Sequence, residues 1–179
     1  MVNQAVGIVP MNLRDLGVDF YVGGSHKWFC GGPGAGFLYV REDLIPKLRP
    51  RFSGWFGIEN PFDYDPTTKF APAEGVMRFM AGTPSIPALY AAIEGVSIVG
   101  ELGLEKIRAH SMALTRTIVD EADARRMSVK TPRDPNRRSG MVCIDFPRAK
   151  DATAALVNEG VIVDYRPNCG IRVSPHFYN

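Results

Sequence analysis

Lys27 is the side chain in this sequence with the most chemistry to offer. It follows Ser25 and His26 at the end of an apolar stretch and precedes the run Gly31-Gly32-Pro33-Gly34-Ala35-Gly36. An ammonium there is normally solvated, but lysines that are partly desolvated near other cations become nucleophiles able to form a Schiff base. Arg172, between Ile171 and Val173, offers a complementary function. A guanidinium forms two parallel hydrogen bonds with a carboxylate, and a site for amino acids needs such a clamp. On residue type alone both have plainer readings: a solvated surface lysine, and a surface arginine on an edge strand.

Holding these groups in place requires rigid elements. Residues 19–22 and 36–40 are rich in aromatic and β-branched side chains and are bounded by glycine and proline, which predicts two strands around a tight connection. Lys27 then sits on or just past the first strand. A short helix is predicted around residues 42–48. Residues 49–72, with Pro50, Pro61, Pro66 and Pro72 among Trp55, Phe56, Phe62 and Tyr64, read as an ordered loop packed by its aromatics. Beyond Ser85, Ile86, Leu89, Tyr90, Ile93, Val96 and Ile98 form a helical stripe, and Leu104, Ile107, Ser111, Leu114 and Ile118 continue it. Gly100 and Gly103 divide the pattern into two helices, and both stripes are assigned to core packing. After Arg126 come predicted strands at 128–130, 141–146 and 161–165, with a helix over 149–158, which suggests a small α+β domain. The organisation is then an α/β tail over 1–75, connecting helices over 76–125 and the α+β domain over 126–179.

At 179 residues and 45% hydrophobic composition the chain can bury a real core. Its net charge of +2 signals neither a nucleic-acid nor a membrane partner. No run reaches membrane-span length, and the opening residues do not read as a signal peptide. Cys30, Cys143 and Cys169 lack metal-ligand spacing and are odd in number, which fits a reducing cytoplasm. Arg133, Arg137 and Arg138 lie among Pro132, Asp134, Pro135 and Asn136 and read as a solvated loop. The glycines after Lys27 read as a tight turn, since no long helical pattern begins directly after them. His110 and His176 have no Cys or His at metal spacing, so no metal site is predicted.

Five motifs occur in an order that resembles the class V aminotransferase family. They are Ser25-His26-Lys27-Trp28, the Gly-Gly-Pro-Gly-Ala-Gly-Phe-Leu run after it, Gly54-Trp55-Phe56-Gly57, Ala81-Gly82-Thr83-Pro84 and Gly170-Ile171-Arg172-Val173-Ser174-Pro175. The resemblance covers essentially the whole chain. It implies the tail of the large domain of an aspartate aminotransferase-like α/β fold (fold type I), followed by a small α+β domain. It also implies pyridoxal 5'-phosphate as cofactor and an α-amino acid as substrate. Lys27 would hold the cofactor as a Schiff base and move the substrate's α-proton. His26 and Ser25 would contact the phosphate or ring, and Gln4 the phenolic oxygen. Trp55 and Thr83 would reach the phosphate of the neighbouring subunit's cofactor, which implies a homodimer with its site at the interface. Arg172 would grip the α-carboxylate.

The chain departs from the family pattern in places. The aspartate that pairs with the pyridine nitrogen in relatives falls at Met1. Relatives extend far upstream and continue beyond the last residue, so the expectation is a carboxy-terminal part of a longer enzyme. The desulfurase branch needs a thiol on a long mobile loop ahead of the arginine, whereas Cys169 stands three residues before Arg172 and reads as an incidental thiol. Residues 163–167 and Gly54-Trp55-Phe56-Gly57 look more like the kynureninase branch, while His26 and Thr83 resemble the broader aminotransferase-like group. A second hypothesis is a non-catalytic remnant that serves only dimerisation or packing with another chain.

Overall fold

The computed structural model describes residues 3–63 and 69–179; Met1, Tyr64 and Pro66, on which earlier expectations fell, lie outside them. The described residues divide into two compact units: Asn3 with Met11–Val96, and Gln4–Pro10 with Ser97–Asn179.

In the first unit, β1 (Phe20–Gly24) and β2 (Gly36–Val40) pair antiparallel over their full length, Phe20 opposite Val40 and Gly24 opposite Gly36. β1 runs past its predicted end because Gly23 and Gly24 stay in the ladder. The Phe37 ring covers Gly23, where a Cβ would lie 2.5 Å from it. Tyr21 is buried and stacks on Phe37 at 6.0 Å between centroids.

The predicted helix after β2 is a 3₁₀ helix, Glu42–Lys47, with Pro46 inside it; proline removes an amide donor and crowds the preceding turn. Arg78 Nη1 donates to the Ile45 and Leu48 carbonyls, at 2.7 and 3.2 Å, and closes its end. In the described part of the segment that follows, three aromatics pack on one another. Trp55 stacks on Phe56, Phe62 meets both edge-on, and the Trp55 indole N–H donates to the Pro61 carbonyl. A bridge between Ile58 and Pro72 ties the two arms of this segment.

Helix α1 (Ile86–Leu102) corrects two expectations. It runs through Gly100 and breaks only at Gly103, whose φ of 82° is the left-handed conformation that glycine adopts freely. Its apolar stripe is not core: Ile86, Leu89, Tyr90, Ile93 and Val96 are all exposed, Tyr90 at 70%. The small residues Ala88, Ala92 and Gly95 make the helix's close contacts instead.

The second unit contains α2 (Leu104–Ala124), β3 (Ser128–Val129), β4 (Val142–Asp145), α3 (Ala149–Asn158), β5 (Asp164–Arg166) and β6 (Gly170–Val173). The strands form an antiparallel sheet in the order β3-β4-β6-β5, and α2 and α3 pack against it. Ile107, Val119, Ala122, Val142, Ala149 and Ile171 are buried here. The predicted helix over 149–158 is observed. The predicted strand over 161–165 begins only at Asp164, because β6 offers partners only from Gly170 opposite Arg166 to Arg172 opposite Asp164; Ile162 is left almost fully exposed. The basic loop is fastened to α2: Arg133 pairs with Asp123, and Arg108 Nη2 donates to the Pro135 and Arg138 carbonyls. Among the described residues no single helix is long and apolar enough to cross a membrane.

Candidate active site

Lys27 stands in a turn whose neighbours hold it from both sides. Asn3 Oδ1 accepts from the Gly24 amide at 2.9 Å, and the Ser25 amide donates to the Ala35 carbonyl at 3.1 Å, which carries the hairpin one step past β1. The Cys30 amide then returns to the Lys27 carbonyl (2.9 Å) and the Gly31 amide to the Ser25 carbonyl (2.8 Å). Ser25 and Trp28 are buried at 5% and 4% exposure, while His26 and Lys27 between them are exposed. Two buried anchors thus present an imidazole and an amine to the outside. Lys27 is exposed, and among the described residues no carboxylate or hydrogen-bond acceptor holds its Nζ.

The backbone after Lys27 lies against α1 closely enough to need glycine. A Cβ on Gly31 would sit 2.7 Å from Ser25 Cβ and 2.9 Å from Ala92 Cα, and one on Gly95 only 2.2 Å from the Phe29 carbonyl oxygen. Ser25, expected at the cofactor, turns its hydroxyl into the turn. Its Oγ lies 3.1 Å from the Gly32 carbonyl and 3.2 Å from the Ala35 carbonyl, with Gly31 O at 3.5 Å. One hydroxyl proton shared among these acceptors holds the glycine run closed. Ser25→Ala leaves them without that donor, and unfolding in urea should show a loss of about 1–3 kcal/mol; an unchanged midpoint would mean that the hydroxyl does not hold the turn.

Trp55 and Thr83 are brought together through their segments. A Cβ on Gly54 would lie 0.8 Å from the Ala81 carbonyl oxygen, and one on Gly57 2.6 Å from that of Met80. The two motifs therefore touch backbone to backbone, with Trp55 and Thr83 both exposed. Gln4 lies at the start of the Gln4–Pro10 segment of the second unit, where Val9 N donates to the Ala5 carbonyl at 2.8 Å. It is half-buried.

Arg172 lies on β6, directly opposite Asp164 on β5 and Cys143 on β4. Its Nε donates to Asp164 Oδ1 and its Nη2 to Asp164 Oδ2, both at 2.8 Å. Arg166, two residues along β5 and so on the same face, places Nη2 2.6 Å from Asp164 Oδ2. Burial pushes the Cys143 thiol up from its ordinary value, so it is a poor nucleophile beside the guanidinium. Cys169 occupies the short β5–β6 turn, where its amide donates to the Arg166 carbonyl at 3.0 Å. Sequence reasoning missed both Asn3 and Asp164. Nothing in the sequence marked Asn3, and Arg166 fell outside the predicted strand over 161–165, so the pairing of Asp164 with Arg172 was not readable either.

The hairpin with its lysine turn, the helix packed on the following glycines and the small antiparallel sheet have the fold of type I pyridoxal-phosphate enzymes, as comparison with solved structures shows. The Aminotransferase class-V family model matches residues 2–176, and the chain belongs to that family. It is 35% identical to an uncharacterized aminotransferase, YcbU, from Bacillus subtilis (strain 168), over 98% of this chain and 45% of the relative. It is 30% identical to a kynureninase from Pseudomonas fluorescens, over 91% of this chain and 40% of the relative. The chain thus spans less than half the length of these relatives. Among solved structures, the apo form of a cysteine desulfurase from Thermococcus onnurineus NA1 superposes with a TM-score of 0.86 at 26% identity, covering 98% of this chain and 46% of that one. A C-DES variant with glycine covalently linked to its PLP cofactor gives a TM-score of 0.80 at 22% identity, over 97% and 46% of the two chains, a likeness of fold.

Pyridoxal phosphate is the cofactor of this family. The donor set of the Lys27 turn fits it. An exposed primary amine suits the aldehyde, and the adjacent imidazole suits an anionic phosphate. The glycine at position 24 leaves room for that imidazole, since a Cβ there would lie 2.9 Å from His26 Nδ1. Met1, which the resemblance places at the pyridine-nitrogen position, lies outside the described residues.

Proposed function

We propose that this chain supplies the lysine and the carboxylate-binding arginine of a pyridoxal-phosphate-dependent enzyme that acts on an α-amino acid. When bound, the cofactor withdraws electrons from the substrate's α-carbon. Lys27 Nζ would hold the cofactor through its aldehyde carbon and would move the substrate's α-proton. His26 binds the phosphate or ring, Gln4 the phenolic oxygen, and Arg172 the α-carboxylate. Trp55 and Thr83 serve the cofactor of a second subunit, which makes the working unit a homodimer. Within the family a kynureninase-like hydrolase or an aminotransferase is favoured over a desulfurase, because Cys169 sits in a tight hairpin turn and not on a long loop.

The observation that carries this reading is the placement of Lys27, exposed between two buried anchors at the end of a paired strand. The test is to incubate the chain with pyridoxal phosphate, reduce with borohydride and map the modified peptide. Stoichiometric label on Lys27 supports the assignment. Scattered label, or none, would instead favour a remnant that serves only packing or dimerisation.

A further inference from the structure

The Nε–Nη2 edge of Arg172 is fully engaged: both of its donors go to the two oxygens of Asp164, at equal length. A guanidinium has five N–H donors and two edges that can take a carboxylate in parallel. Among the described residues no hydrogen bond reaches Arg172 Nη1, so the Nη1–Nη2 edge remains for a second carboxylate. Three features make the Asp164 contact a mount and not a competitor. Asp164 and Arg172 are direct cross-strand partners, so the short aspartate side chain reaches the guanidinium from a fixed backbone position. Arg166 holds Asp164 from its other side at 2.6 Å. The three side chains sum to a single positive charge, which one substrate carboxylate neutralises.

We propose that Asp164 is the positioning residue of the carboxylate clamp: it locks one edge of Arg172, with Arg166 steadying it, and so aims the other edge at the α-carboxylate of the amino acid. This rests on the reading of Arg172 as the clamp, and the experiment separates the two. The probes are N-(5'-phosphopyridoxyl)-L-alanine and N-(5'-phosphopyridoxyl)ethylamine, which differ only in the carboxylate. Their affinities for the 179-residue chain are measured by calorimetry, and the ratio isolates the clamp from the rest of the binding surface. Wild type should prefer the carboxylate probe by about 100-fold, Arg172→Gln should show no preference, and Asp164→Asn should keep only about 10-fold. Asp164→Glu, which restores the charge, should recover part of the loss. Affinity for the ethylamine probe should not move in the Asp164 variants, which a merely structural defect would not allow.

If Arg172→Gln abolishes the preference while Asp164→Asn leaves it intact or raises it, the clamp stands and the positioning role is overturned. A wild-type chain with no preference, or an Arg172→Gln chain that keeps one, overturns the clamp and this inference with it.

Discussion

Lys27→Ala yields a folded chain that pyridoxal phosphate and borohydride no longer label at stoichiometry. The lysine is exposed and its Nζ has no partner among the described residues, so its removal should move the unfolding free energy by no more than about 0.5 kcal/mol. The turn around it is held by Ser25, Trp28 and backbone hydrogen bonds that do not involve the side chain. Loss of the visible absorption of the bound cofactor, against an unchanged far-UV spectrum and urea midpoint, isolates the amine's chemistry from the fold. A Lys27→Ala chain that retains stoichiometric label on another lysine would remove the central assignment.

Gly54→Ala is the substitution with the largest structural effect. Its Cβ would lie 0.8 Å from the Ala81 carbonyl oxygen and 1.7 Å from the carbonyl carbon. The obstacle is backbone, which cannot rotate away as the tip of a side chain can, so the two segments must separate. Overpacking typically costs ~1–3 kcal/mol and occasionally more, and a direct backbone collision belongs at the upper end, about 3 kcal/mol. For a chain of this size that lowers the thermal midpoint by roughly 6–12 °C. The same separation moves Trp55 away from Thr83, so any function the two share should fail even where the chain still folds. A thermal scan showing less than about 2 °C of change would mean that the segments part without cost.

The sequence and the structure agree where the signal is local. β2 and α3 match because alternation, turn residues and helical spacing act over a few neighbours. The differences arise where tertiary contact decides. β1 gains Gly23 and Gly24 because β2 supplies partners, and β5 loses residues 161–163 because β6 does not. The stripe of α1 was legible, but periodicity does not say which face of a helix a neighbour will use. The face in close contact is the one with alanines and a glycine, chosen by how near the Gly31 and Phe29 backbone comes. Of the candidate site residues, residue type and motif order singled out Lys27 and Arg172. The inward turn of Ser25 and the hold of Asp164 on Arg172 depend on where hydroxyl and carboxylate point, which no spacing encodes.

The closeness of that glycine run to α1 bears on the thermodynamics of cofactor capture. Ordering a loose backbone residue costs about 1–2 kcal/mol, and a flexible loop that closed only around its ligand would subtract that cost from the affinity for every residue it immobilised. Here residues 25–35 are immobilised during folding, by a buried hydroxyl and by backbone packed on alanine and glycine. The entropy of the turn is surrendered once, when the chain folds, and ligand binding meets a preorganised surface.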